Sequence, residues 1–334
     1  MTMISIPAVA PTEDTIDLAA AVAAALAASV TFAQAYPSKP IRLVIPFAPG
    51  GSTDIVGRIM AAKLSPLLGQ PVIVENKAGA GGSIGAAEIA KSPADGYTIG
   101  MGSVSTMGTN IVAYKNNKLD PMTQFTHITN LASVPGIIIV NKNFPHQDYK
   151  SFVAALKANP GKFSYASSGA GGVGHLAMEL FLVETGTDAQ HIAYKGAGPA
   201  VTDVLAGNVP IMWDNLSSSL AQIKAGNFIP IGLAFPKRIP QLPNVPTFAE
   251  LGLKSYEADT WFGLVGPANM PKDIVKKIYE ASIQALKDPD TVKKLEENGA
   301  FVIGNTPEQF SDQVKREVAK WKRVVDAKKI SLEL

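Results

Sequence analysis

Beyond residue 40, short runs of β-branched and other apolar residues alternate with stretches in which apolar positions recur at helical spacing. That alternation predicts an α/β fold, with parallel sheets flanked by helices. IRLVIPF (41–47) is continuously apolar, as a strand covered on both faces requires. DIVGRIMAAKLSPLL (54–68) puts Ile55, Ile59, Met60 and Leu64 on one helical face. A strand at 71–75, a helix at 84–91 and a strand at 97–103 complete the first set. A second set repeats the plan, with strands at 163–167, 189–194, 209–214 and 229–234 and helices at 175–185, 199–207 and 216–226. Between the sets, 125–143 reads as two extended runs broken at Pro135-Gly136. A further extended run, 256–271, precedes two long helical patterns at 272–298 and 307–329. Two extended crossings between two α/β units predict two lobes joined by a two-segment hinge. The first lobe would take 36–133 plus 262–334, and the second 134–261.

The N-terminus adds a compartment. Residues 18–30, LAAAVAAALAASV, are uncharged and apolar, about the length of a signal-peptide core and too short to span a bilayer comfortably. Ala33-Gln34-Ala35 has the A-x-A shape of a cleavage site, so 1–35 is expected to be a signal peptide or N-terminal extension and the product periplasmic. The competing reading is an alanine-rich helix of the mature protein. One feature departs from an export signal: no Lys or Arg precedes Lys39, while Glu13, Asp14 and Asp17 are acidic. Cleavage after Ala35 would remove three acids and no bases, taking the formal charge from +2 to +5. No basic run exceeds two residues, which argues against a nucleic-acid partner. The absence of cysteine excludes disulfides and thiol chemistry.

Candidate chemistry collects where glycine follows strands. APGGSTD (48–54), NKAGAGGSIG (76–85), SVSTMG (103–108), SSGAGGVGH (167–175) and YKGAGP (194–199) each join a predicted strand to a predicted helix. Helix N-termini with exposed N–H groups bind carboxylate, phosphate or sulfate, so five such turns point to an anion site, with plain helix connections as the alternative. Gly169, Gly171 and Gly174 also spell G-x-G-x-x-G. A dinucleotide fold wants an acid at the end of the next strand, about 20 residues on. Here Tyr194-Lys195 ends that strand and Asp188 precedes it, which disfavours an NAD(P) enzyme. GGSIG (81–85) matches a nucleophile elbow in letters, but seven residues separate Ser83 from the strand end at Glu75. Of four histidines, His175 alone opens a helix beside a glycine loop, and none has metal-ligand spacing. Asp54 suits a first helical turn. Asp214 stands either at the cleft or as a cap for the helix at 216, and Trp261 and Phe262 read as core or hinge packing. We expect neither metal nor cofactor nor catalysis.

From about residue 36 to the end, the chain resembles the substrate-binding proteins of tripartite tricarboxylate transporters, the Bug proteins. The resemblance is carried in register by YPSKPIRLVIPFAPGGSTD, GQPVIVENKAGAGGSIGA, ADGYTIGMGS, SSGAGGVGHLAMELF, AYKGAGPAVTDVLAGNVPIMWDN, NVPTFAELG and TWFGLVGPANMP. It implies a type II periplasmic-binding-protein fold that captures a small organic acid and delivers it to membrane transporter subunits, as a monomer. A sensor subunit on the same scaffold is the alternative. It further implies that a ligand carboxylate is gripped through backbone amides, hydroxyls and water. Phe47, Gly50, Gly51, Ser52, Thr53 and Asp54 would lie on one side, and Ser168, Gly169, Ala170, Gly171, Gly172 and His175 on the other. Tyr194, Lys195, Gly196 and Asp214 would form pocket walls. Ser103 and Ser105, in the segment 103–107, the Asp214 region and the Trp261 neighbourhood would help choose the ligand, with Lys195 favouring a second carboxylate. Some relatives carry a hydroxyl residue where this chain has Gly172.

Overall fold

In the computed structural model of this chain, the residues described are 36–114 and 117–328. The fold below is that of the unit that begins at Lys39. The run and cleavage motif within 1–35 lie outside the described residues.

The strands in chain order are β1 (Ile41–Ile45), β2 (Val72–Asn76), β3 (Thr98–Ser103), β4 (Phe125–Val134), β5 (Gly136–Asn141) and β6 (Ser164–Ser167). They continue with β7 (Gln190–Ala193), β8 (Ile211–Asn215), β9 (Phe228–Ala234), β10 (Thr260–Pro267) and β11 (Phe301–Val302). The helices are α1 (Ser52–Leu68), α2 (Ser83–Lys91), a single turn α3 (Asn110–Ala113), α4 (Tyr149–Ala158) and α5 (Val173–Thr185). After them come α6 (Ala197–Ala206), α7 (Leu216–Lys224), α8 (Lys272–Lys287), α9 (Pro289–Glu297) and α10 (Pro307–Lys328).

Two sheets result. One has the order β11-β4-β10-β3-β1-β2, the other β7-β6-β8-β5-β9. β1 runs parallel to β2 and β3, and β6 parallel to β7 and β8. β10 returns antiparallel between β3 and β4, and β5 is antiparallel to β8 and β9. β1, β3, β5 and β10 are buried almost throughout, as strands covered by helices must be. The predicted α/β class with two crossings is what the chain adopts. Pro135 alone separates β4 of the first sheet from β5 of the second, and having no N–H it cannot extend either ladder. Residues 235–259 make the other crossing.

Two local expectations differ from the structure. The helical pattern at 272–298 is two helices, because Asp288 caps α9 by accepting the Thr291 N–H and Pro289 removes the N–H that a continuous helix needs. α4 was not expected. Its signal is an Asp148 cap on the Ser151 N–H ahead of buried Phe152, Ala155 and Leu156. The second lobe is tied to its crossing by Tyr256, whose hydroxyl accepts from Trp213 Nε1 and donates to the Ala177 carbonyl, both at 2.8 Å.

Candidate ligand-binding cleft

The strands β1, β3, β6 and β8 all end at the junction of the lobes. On the first side, β1 runs through Phe47 and Pro49 into α1. Asp54, in the first turn of α1, accepts the Gly50 N–H at 3.0 Å, Arg58 Nε at 2.9 Å and Asn76 Nδ2 at 2.9 Å. Burial pushes the Asp54 carboxyl up, but these donors outweigh it and hold the group below the ordinary carboxylate range. Asn76 also donates to the Phe47 carbonyl at 2.9 Å. Asp54 is thus an internal brace that shapes the 47–54 turn, with its oxygens occupied from within its own lobe.

On the second side, β6 runs through Ser168 into α5. Ser167 Oγ accepts the Gly169 N–H at 3.2 Å, and the Gly172 N–H closes onto the Gly169 carbonyl at 3.2 Å. The Gly171 N–H donates to His175 Nδ1 at 3.2 Å, which fixes the proton of this imidazole on Nε2. The His175 ring lies 3.7 Å from that of His191, stacked within 17°, with Nε2 3.9 Å from Glu179. Burial first, and His191 second, push His175 down to about 3, so it is neutral and acts as an acceptor for the loop. His191 Nε2 in turn meets Ser167 Oγ at 2.7 Å.

The lobes touch through these loops. The Ala48 N–H donates to the Lys195 carbonyl at 3.1 Å, and Tyr114 Oη donates to the Ala170 carbonyl at 2.9 Å. Ser105 Oγ accepts the Val173 N–H at 3.0 Å. Ser52 Oγ accepts the Ser218 N–H at 3.0 Å and donates to the Asn215 carbonyl at 2.8 Å. Serines of the first lobe therefore cap helices of the second. Between the loops lies a cavity of about 10 Å³ lined by Phe47, Gly51, Ser52, Thr53, Ser103, Ser105, Ser168, Ala197, Asn215 and Phe262. That is about the room one water needs, so a larger ligand requires the lobes to part and close again.

The lining carries no ionisable side chain. Its polarity comes from hydroxyls, one amide and helix ends. Four helices, α1, α5, α6 and α7, start here from Gly51, Gly172, Gly196 and Asn215, and none of the four has a side-chain cap from its own N-cap residue. Their positive dipole ends meet at one place, with the Val173 and Ser218 N–H groups taken by the serine caps from the first lobe. Such a set accepts an anion without any cationic side chain.

Comparison with known proteins places the fold. Residues 56–330 match the family model described as "Tripartite tricarboxylate transporter family receptor". The chain belongs to this receptor family. The receptor is 34% identical over 303 residues to Protein BugT of Bordetella pertussis, covering 90% of this chain and 93% of that one. A solved "periplasmic transporter" is 45% identical with a TM-score of 0.88, covering 90% and 100% of the two chains. MatC from Rhodopseudomonas palustris, solved with bound malate, is 30% identical with a TM-score of 0.84, covering 87% and 100%.

Of the residues the sequence singled out, Phe47, Gly51, Ser52, Thr53, Ser103, Ser105 and Ser168 line the receptor's cleft. Gly50, Asp54, Gly169, Ala170, Gly171, Gly172 and His175 build the loops around it. The Lys195 side chain is exposed and lies outside the lining, and its carbonyl accepts the Ala48 N–H of the first lobe. Gly196 precedes α6, and Tyr194 Oη donates to Asp203 at 2.5 Å, away from the lining. Phe262, expected in packing, reaches the cleft, whereas Trp261 bonds Glu317 at 3.2 Å and packs on Phe310. Ala197 was not singled out, and Asn215 only as part of the Asp214 region. The available signal for both was position, since each opens a helix after a strand of the second set.

Asp214 lies behind the lining, in β8, with Ser218 Oγ 2.8 and 2.6 Å from its two oxygens. Burial pushes its carboxyl up to about 7, against the opposing hydrogen bonds of Ser218, Ser219 and the Asn215 backbone. The folded receptor therefore holds a proton that the unfolded chain releases near 3.8. The stability linked to this group is complete below about pH 3.8, falls as pH rises towards 7, and stays low above. Its upper limit, from about three pH units, is on the order of 4 kcal/mol. Asp214→Asn removes the titration, so its Tm relative to wild type should be several degrees higher at pH 8 than at pH 4. Equal differences at both pH values in thermal unfolding would mean that Asp214 does not titrate in this range.

Proposed function

We propose that the receptor is a non-enzymatic, periplasmic solute-binding protein that captures a small organic carboxylate between its lobes and presents it to membrane transporter subunits. The observation that carries the reading is the meeting of four helix N-termini without their own side-chain caps in a cleft lined by hydroxyls and no ionic side chain. The family, and the malate bound by its Rhodopseudomonas relative, support a carboxylate over phosphate or sulfate. Among the described residues no helix is long and apolar enough to cross a membrane, which agrees with a receptor that hands its ligand to a separate membrane component. The 47–54 and 168–175 loops would hold the carboxylate. Closure traps it because the closed form offers donors from both lobes at once, a difference in affinity that shifts the population.

Thermal unfolding of the purified receptor against a panel of organic acids, with NAD and NADP included, tests this. A ligand at 100 times its Kd adds about 2.7 kcal/mol. At roughly 2–4 °C per kcal/mol this is a Tm rise of several degrees. A rise with carboxylates and none with the nucleotides is the expected result. A rise with NAD or NADP alone would make the glycine loop a cofactor site and overturn the proposal.

A further inference from the structure

Asn215 stands at the N-cap of α7, where asparagine ordinarily accepts the N–H of the second or third helical residue. It does not do so here. The third residue is Ser218, and its N–H goes instead to Ser52 Oγ of the opposite lobe at 3.0 Å. The same serine hydroxyl donates to the Asn215 carbonyl at 2.8 Å, so the Asn215 main chain is held while its side chain is released from capping. Asn215 Oδ1 is buried and has no hydrogen-bond partner. Of the buried side-chain polar atoms without a partner among the described residues, it alone belongs to a residue that lines the cleft. A buried acceptor without a donor is costly, and a site built to receive a donor rejects analogues that lack one.

We infer that Asn215 is a specificity-determining residue whose side-chain oxygen accepts a hydrogen bond from the ligand. The preferred class is then a carboxylate that also carries a hydroxyl or amino group, rather than the plain acid of the same chain length. The inference rests on the carboxylate reading above. Helix ends and hydroxyls hold the anionic group, and Asn215 reads the second group. The trans cap from Ser52 links this readout to closure, because only when the lobes meet is the α7 N–H satisfied without the Asn215 side chain.

The test is calorimetric titration of the receptor with matched acids: lactate with propionate, malate with succinate, 2-hydroxyglutarate with glutarate, and aspartate as the amino counterpart of malate. In the wild type, the donor-bearing member of at least one pair should bind roughly tenfold tighter or more than its partner. In Asn215→Leu, of similar size and without polar atoms, the two members should come within about twofold of each other. Asn215→Ala gives the same readout should the leucine variant fail to fold. Acids that bind without preference in the wild type overturn the inference and leave the carboxylate reading standing. A preference that persists in both variants assigns the selectivity elsewhere and also overturns it. Equal weakening of both members would mean that Asn215 contacts the shared carboxylate instead. If no acid binds, the carboxylate reading fails, and this inference fails with it.

Discussion

Gly198→Val should abolish capture of the ligand while leaving both lobes folded. Gly198 is the second residue of α6, and a Cβ built on it runs into the Pro49 carbonyl of the opposite loop. The three nearest atoms, Pro49 O, Pro49 C and Gly50 Cα, are all main chain of the first lobe. No rotamer change relieves a clash between a Cβ and a backbone, so the lobes must separate at this point. Within its own lobe the substitution is mild, since valine is a better helix former than glycine. Separation here strains the neighbouring Ala48–Lys195 contact and draws the Ser52 hydroxyl away from Ser218. The ligand then meets donors from one lobe at a time. We expect a loss of affinity of about 100-fold or more, some 2.7 kcal/mol, with the ligand-free Tm within a few degrees of wild type. The calorimetric titration and unfolding measurements read both quantities. A Gly198→Val receptor that binds as tightly as wild type would show that capture does not require the two loops to approach this closely.

The fold was largely legible because its signals are local. Continuous apolar runs such as 41–47 belong to strands covered on both faces, and helical periods flank them. The boundary errors have local causes too, as at Asp288-Pro289, where a cap and a proline divide what periodicity alone joins. The candidate cleft draws on the same kind of local signal, since glycine- and serine-rich turns mark where strand ends meet helix starts. What those residues bond was not legible. Ser52 and Ser218 stand 166 positions apart, and Ser105 and Val173 stand 68 apart. No spacing rule connects such pairs. A motif read residue by residue treats Asp54, His175 and Asp214 as ligand contacts because they sit in or beside the loops. The packed structure gives Asp54 and His175 to the loop backbone and Asp214 to a helix start. Asn215 shows the converse. Its neighbour Asp214 drew attention by charge, while the amide that reaches the cleft looked like an ordinary helix cap.

Gly171→Val carries the other large expected effect, and it separates the loop's geometry from its mere stability. Gly171 has φ +69°, a left-handed conformation that a β-branched residue strongly disfavours. A Cβ there also runs into the ring of Tyr114, whose hydroxyl donates to the Ala170 carbonyl from the opposite lobe. The substitution therefore twists the 168–172 turn and displaces a contact that joins the lobes. It also disturbs the Gly171 N–H bond to His175. Strain of this kind costs on the order of 1–3 kcal/mol, so the Tm should fall by several degrees while the receptor stays folded. Binding should fall by about 100-fold or more if, as proposed, this turn sets the donors that face the carboxylate. Gly186→Val is the control. It has φ +60° at the C-cap of the same helix, with nothing within 4 Å of its Cβ. Comparable strain at that remote end should lower Tm similarly and leave affinity within about twofold of wild type. Equal loss of affinity in both variants would trace the effect to general destabilisation. Unchanged affinity in folded Gly171→Val would remove the 168–172 loop from the site altogether.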